Sequence, residues 1–194
     1  MAFTYKKSNH SKGNFLKSMG SSKLKNGYIQ VYTGNGKGKT TAAIGLAIRG
    51  LGGGLKVYFS QFLKGQNSCE IAFLKNYSKG ILIERSGRKS FVKKVQHSDI
   101  KEAQRSFLKV SRIIKEGKYD IIILDEIFSA LSLNLINSNE LITLLISKPS
   151  HVEIVLTGRN APKKIIEIAD LVTEMKEIKH YYRRGIGARR GIEK

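Results

Sequence analysis

One stretch restricts what this chain can fold into more than any other. An alternating, β-type run from Tyr28 to Tyr32 leads into Thr33-Gly34-Asn35-Gly36-Lys37-Gly38-Lys39-Thr40-Thr41, and a helix-like segment follows to Ile48. Strand, glycine-rich turn and helix in that order make a phosphate cradle. The glycines let backbone N–H groups turn inward toward an anion, and the helix N-terminus adds partial positive charge. Lys39 is placed to reach phosphates, and the Thr40 hydroxyl to hold a divalent metal. The loop is one residue shorter than the usual G-x-x-x-x-G-K-[ST] pattern: it reads Gly34-x-x-x-Gly38-Lys39-Thr40, with an additional lysine at Lys37. The bland alternative is a glycine-rich turn that binds nothing. The coincidence of strand, lysine, hydroxyl and helix argues against it.

The rest of the chain repeats the alternation. Strands are expected at Val57–Phe62, Ile81–Glu84, Tyr119–Leu124, Val152–Leu156 and Leu171–Met175. Helices are expected at Glu70–Tyr77, from a Ser98 cap to Gly117, from Ser138 to Ile146, and from Pro162 to about Ala169. The segment from Ser98 carries Ile100, Ala103, Phe107, Val110 and Ile114 on one face, and Asp99 and Glu102 in its first turn. The uninterrupted apolar run Ile121-Ile122-Ile123-Leu124 must be buried on both faces. The expected fold class is therefore α/β, a RecA-like P-loop domain whose mostly parallel sheet carries helices on both faces. Ligands of such sheets bind beyond the carboxyl ends of the strands. The glycine loop, Gln61–Lys64, Asp125-Glu126 and Thr157–Arg159 all fall at that edge.

Length and composition set outer limits. The chain has 194 residues, enough for one packed domain. No apolar run approaches the roughly 20 residues of a membrane span, and no signal-like apolar segment opens the chain. A single cysteine, Cys69, excludes an internal disulfide framework and fits a reducing compartment, so a cytoplasmic location is expected. His10, His97, His151 and His180 show no metal-ligand spacing. The formal charge is +20, and no acidic residue precedes Glu70. That field favours an anionic ligand, whether nucleotide, polyphosphate or nucleic acid, or it is simply a solvated basic surface. Residues 1–26 are polar and basic and read as an arm, mobile or lying over the domain as a lid, ahead of a nucleotide-binding domain over 27–178 and a tail over 179–194 of the same domain.

Asp125 and Glu126 follow the buried strand as a Walker B pair does. A carboxylate there can bind Mg²⁺ opposite the Thr40 hydroxyl. Asp125 could instead cap a following helix. Lys64 and Arg159, each just past a strand end, are candidate phosphate contacts. Arg49, ten residues beyond Lys39, either contacts a phosphate or is solvated. These residues define an ATP-binding domain with a metal, and leave the reaction open.

A resemblance supplies the reaction. The segment Gln30–Ala43 with its shortened loop, Gln61-Phe62-Leu63-Lys64-Gly65, Ile123-Leu124-Asp125-Glu126, Leu156-Thr157-Gly158-Arg159-Asn160-Ala161-Pro162, Ala169–Lys176, and the tail Lys179-His180-x-Tyr182-x-x-Gly185-Ile186-x-Ala188-x-x-Gly191-Ile192-Glu193 together resemble the P-loop class of corrinoid adenosyltransferases. The resemblance runs from about Gly27 to Glu193. It implies transfer of the 5′-deoxyadenosyl group of ATP to the cobalt of a reduced corrinoid, with triphosphate released, and an ATP held reversed relative to ordinary P-loop hydrolases. It further implies that Gly34, Asn35, Gly36, Lys37, Gly38, Lys39, Thr40 and Thr41 carry the triphosphate. Thr40 and Glu126 would hold the metal, Mg²⁺ or Mn²⁺, and Arg49 would contact nucleotide, while Asp125 as a further metal ligand and Lys64 and Arg159 as ATP contacts rest on their places at the strand ends. Lys39, Thr40 and Glu126 are the implied catalytic residues. Some members place a Phe-Thr-Trp segment by the corrinoid; this chain has Arg88-Lys89-Ser90-Phe91 and no tryptophan, so only Phe91 can take that role. A reductase such as flavodoxin and a homodimeric assembly are implied as well. The rival expectation is a nucleic-acid-stimulated P-loop ATPase, suited to the charge but lacking any RNA-binding signature. A non-catalytic nucleotide-binding regulator is a third, which intact Lys39, Thr40 and Glu126 disfavour.

Overall fold

The apolar run after Tyr119 becomes the centre of the molecule. The structure is a computed structural model that describes residues 24–65, 68–77, 79–87 and 95–193. Within them, β1 (Ile29–Thr33), β2 (Val57–Gln61), β3 (Ile81–Arg85), β4 (Ile121–Asp125), β5 (Glu153–Thr157) and β6 (Leu171–Glu174) form one sheet in the order β3-β2-β4-β5-β1-β6. Every neighbouring pair is parallel. Six helices among the described residues connect the strands: α1 (Lys39–Gly52), α2 (Cys69–Tyr77), α3 (His97–Glu116), α4 (Ile127–Ser132), α5 (Ser138–Ile146) and α6 (Lys163–Ile168). A 3₁₀ turn, Tyr181–Arg184, lies in the tail.

Period-two alternation divides β4 between two cores. Ile121 and Ile123 join Ala43, Ala47, Ile71 and Leu74 of α1 and α2 on one face. Ile122 and Leu124 join Phe107, Val110 and Ile114 of α3, with α4 and α5, on the other. Those four β4 side chains are 0–3% exposed, and burying each contributes about 1.5–3 kcal/mol. The double burial expected for this strand is what makes it central. Edge strand β6 is the opposite case, exposed along its length.

Element ends differ from the sequence expectation by one or two residues in several places, and two differences have a clear local cause. Helix α3 starts at His97 rather than beyond a Ser98 cap, because Gln96 takes the cap position and its N–H donates to Asp99 Oδ2 at 2.8 Å. Helix α4 is the helix expected to follow Asp125, for which the sequence offers no bounds. It is a six-residue piece with no charged residue, too short for a helical period to show. The glycine loop is seated by the chain leaving β6. Gly36 N–H donates to Met175 O at 2.7 Å. Gly34 has φ 98°, and a Cβ there would lie 2.4 Å from the same carbonyl oxygen. Only glycine combines that conformation with so close an approach.

Of the arm expected over 1–26, only its last residues are described, and Leu24 packs against the α1–α2 core. The expectations for the rest of the arm and for Phe91 lie outside the described residues.

Candidate active site at the carboxyl edge of the sheet

Parallel strands bring the ends of β1, β2, β4 and β5 to one edge, and the chain is bent sharply there. Leu63, Glu126 and Asn160 are non-glycine residues with φ of 56°, 59° and 54°. Each lies within three residues of the end of β2, β4 or β5. Left-handed backbone at a non-glycine residue persists only where the surroundings impose it, and it gathers at functional sites.

Under the edge lies a buried carboxylate. Asp125, the last residue of β4, is 0% exposed. Its Oδ1 accepts from the Thr40 hydroxyl at 2.9 Å and the Thr157 hydroxyl at 2.6 Å, and its Oδ2 accepts from Gln61 Nε2 at 2.9 Å. The sheet itself sets these partners: Gln61 faces Asp125 across the β2–β4 register, and Thr157 follows Leu156, the partner of Leu124. Thr157 also accepts from Glu126 N–H at 3.0 Å, so one hydroxyl ties both acids together. The alternative of Asp125 as a helix cap is thereby corrected. Glu126 occupies the N-cap position of α4, and the Asp125 carboxylate is turned into the network beneath.

Glu126 lines the cavity above, and its Oε2 accepts from Ser129 Oγ at 2.6 Å. The Thr40 proton is committed to Asp125, which leaves the oxygen's lone pairs to face the cavity. Thr40 and Glu126 therefore offer hard oxygen donors to one cavity, with Asp125 bonded behind Thr40, and oxygen donors of this kind fit Mg²⁺ or Mn²⁺.

The cavity has a volume of about 450 Å³, within the range of small-molecule sites. Asn35 to Thr41, Lys64, Glu126 and Arg159 all line it, so loop, β2, β4 and β5 ends converge as expected. Lys39 is 7% exposed and donates to Gly34 O at 2.7 Å and Gly36 O at 2.8 Å. Burial pushes its ammonium pKa down, Glu126 pulls it up, and Arg159 pushes it down further. An anion in the cavity would relieve both the desolvation and the repulsion from Arg159.

Arg49 does not join them. It is exposed in the last turn of α1, and ten residues of helix carry it about 15 Å from Lys39. Gly34 contributes its carbonyl to Lys39 and its close packing to Met175. Sequence reasoning missed Gln61 and Thr157 as partners of Asp125. Their positions at strand ends are the signal that marks them. It also missed that the tail lines the cavity, through His180, Gly191, Ile192 and Glu193.

The sheet order, the glycine loop and the carboxylate at the end of β4 define the class: a RecA-like P-loop α/β domain. A sequence model of the ATP:corrinoid adenosyltransferase BtuR/CobO/CobP family matches residues 25–193, and the chain belongs to that family. A corrinoid adenosyltransferase of Pseudomonas aeruginosa is 33% identical over 170 residues, covering 86% of this chain and 83% of that protein. One from Sinorhizobium sp. is 36% identical over 171 residues, covering 86% and 80%. An uncharacterized protein of Nostoc sp. is 36% identical over 169 residues, but the match spans only 45% of that longer chain. Among the described residues no helix is long and apolar enough to cross a membrane.

Proposed function

We propose that the protein is an ATP:corrinoid adenosyltransferase. The observation that carries this is the joining of Lys39, Thr40, Glu126, Lys64 and Arg159 around one cavity in a chain of this family. In this reading the loop N–H groups from Asn35 to Thr41 and the cations Lys39, Lys64 and Arg159 bind the triphosphate of ATP. The Co(I) centre of the reduced corrinoid attacks C5′ of the ribose with its electron pair. The new Co–C bond forms as the C5′–O bond breaks, and triphosphate departs with the bonding pair.

Negative charge grows on the departing oxygen, and preorganised cations lower the barrier because they need no reorientation as it develops. Lys39 is suited to stabilise that charge. Two of its three N–H donors are fixed on loop carbonyls, which aims the ammonium before substrate arrives. A magnesium or manganese ion, held by Thr40 and Glu126 with Asp125 behind them, would supply further positive charge to the triphosphate. Phe91 is proposed at the corrinoid side on the family resemblance, as are a homodimeric assembly and a reductase such as flavodoxin that delivers the electrons for Co(I).

The test is to incubate the protein with ATP, Mg²⁺ and chemically reduced cobalamin, following the spectrum for a cobalt–carbon product while assaying phosphates. Triphosphate released in step with alkylated corrinoid is the expected result. ADP and orthophosphate as the stoichiometric products would overturn the reading and favour an ATPase.

A further inference from the structure

Lys37 is the lysine that the shortened loop adds, and its position in the sequence suggests a second phosphate contact. Its surroundings give it different work. Lys37 Nζ donates to Tyr181 OH at 3.0 Å, Glu193 Oε1 at 3.0 Å and Ile192 O at 3.2 Å. An ammonium has three N–H donors, and here all three are spent on the C-terminal tail. The acceptors are themselves interlocked. Tyr181 OH donates to Glu193 Oε1, Arg189 pairs with Glu193 at 3.1 Å, and the Arg189 guanidinium lies over the Tyr181 ring at 4.9 Å from its centroid. Arg189 first, then Tyr181, holds the Glu193 carboxyl far below the usual carboxylate range.

Among the described residues the tail has little else to hold it. No residue of its 3₁₀ turn is buried, and residues 182–192 are exposed. Yet His180, Gly191, Ile192 and Glu193 form one side of the cavity whose other side is the glycine loop. A wall with no apolar anchor depends on its polar fastening.

Resting on the nucleotide reading above, we infer that Lys37 is a positioning residue: it latches the strap of residues 179–193, through Glu193 and Tyr181, as a wall of the ATP cavity, and is not a ligand of the triphosphate. The strap then closes part of the nucleotide cavity, and the latch is made at the loop itself, where nucleotide binding can be felt.

Trypsin tests this, because Arg183, Arg184, Arg189 and Arg190 all lie in the strap. Cleavage at these arginines would be timed by mass spectrometry in the full chain, its Lys37→Ala and Glu193→Gln variants and the double variant, with Mg²⁺-ATP affinity measured in parallel. Each single change is expected to speed strap cleavage and weaken ATP binding about three- to fivefold, the size of a well-placed exposed ion pair. The double variant is expected to fall well short of the product of the two singles, since both break the same interlocked cluster. ATP is expected to slow strap cleavage in the unmodified protein. The inference is overturned if Lys37→Ala weakens ATP binding at unchanged strap cleavage while Glu193→Gln leaves affinity unchanged or tighter, if the two effects multiply, or if ATP speeds cleavage. A protein that shows the latch signature and binds ATP but makes no cobalt–carbon product would count against the adenosyltransferase reading and leave the latch standing.

Discussion

Two carboxylates frame this site with similar partners and opposite surroundings. Asp125 accepts from two hydroxyls and an amide inside the sheet, at 0% exposure. Glu193 accepts from a hydroxyl, a lysine and an arginine on a tail whose turn buries nothing. The first network is built by strand register, so its geometry is fixed once β2, β4 and β5 pair. The second joins residues 156 positions apart through long side chains in water. In low dielectric an unmade hydrogen bond is expensive, so the buried set is all-or-none. In solvent each bond exchanges with water, so the strap can open at small cost. One holds the groups proposed for catalysis still; the other can yield.

Asp125→Ala should produce the largest effect. It leaves Gln61 and Thr157 as buried donors, and half-buried Thr40 beside them, without their acceptor, costing about 3 kcal/mol and lowering Tm by roughly 6–12 °C at this chain length. Thermal unfolding followed by circular dichroism measures it, and a Tm within a degree or two of the parent would show that the network does not stabilise the fold. Glu126→Gln comes next, and separates chemistry from stability. Turnover should fall ~10²-fold through loss of a charge partner for the metal, with Tm nearly unchanged because Glu126 sits at the cavity surface. Near-normal turnover and metal dependence would remove Glu126 from the site. Thr157→Val is milder. It deletes the hydroxyl that bridges Asp125 Oδ1 and Glu126 N–H, for about 1–2 kcal/mol. A loss no larger than that of an exposed substitution would mean that Gln61 and Thr40 hold Asp125 unaided.

The buried half of this comparison is largely legible in the sequence. The Ile121–Leu124 run announces a strand covered on both faces, and alternation of strands with helices announces parallel pairing, so Asp125, Glu126, Lys64 and Arg159 can be placed at one edge. Register is not legible, because nothing local says that Gln61 stands opposite Asp125. Arg49 shows the same limit: its sequence distance from Lys39 is short, but a straight helix carries it away. The tail is least legible. Its polar, glycine-spaced residues have no periodicity to read, and Lys37 changes role from phosphate contact to strap anchor only when Tyr181 and Glu193 are seen in space.

Ionic strength should sharpen the contrast at its weakest end. Raising salt from about 0.1 M to about 1 M shortens the Debye length from about 10 Å to about 3 Å. Lys37 and Arg189 are exposed and Glu193 is half-buried between them, so salt screens their attraction from the solvent side and strap opening becomes more frequent. The Asp125 donors are neutral hydroxyls and an amide, and Asp125, Gln61 and Thr157 are enclosed by protein, so salt has little charge to screen there. Hydrogen exchange reads both in one sample. The Arg189 amide donates to Glu193 Oε2 at 2.8 Å in the strap, and the Glu126 amide donates to Thr157 in the network. Arg189 exchange should quicken a few-fold across that salt range, within the scale of an exposed ion pair, while Glu126 exchange holds steady. Equal salt responses at the two amides would erase the distinction between a fixed carboxylate and a yielding one, and an unmoved Arg189 would mean that something other than charge keeps the strap closed.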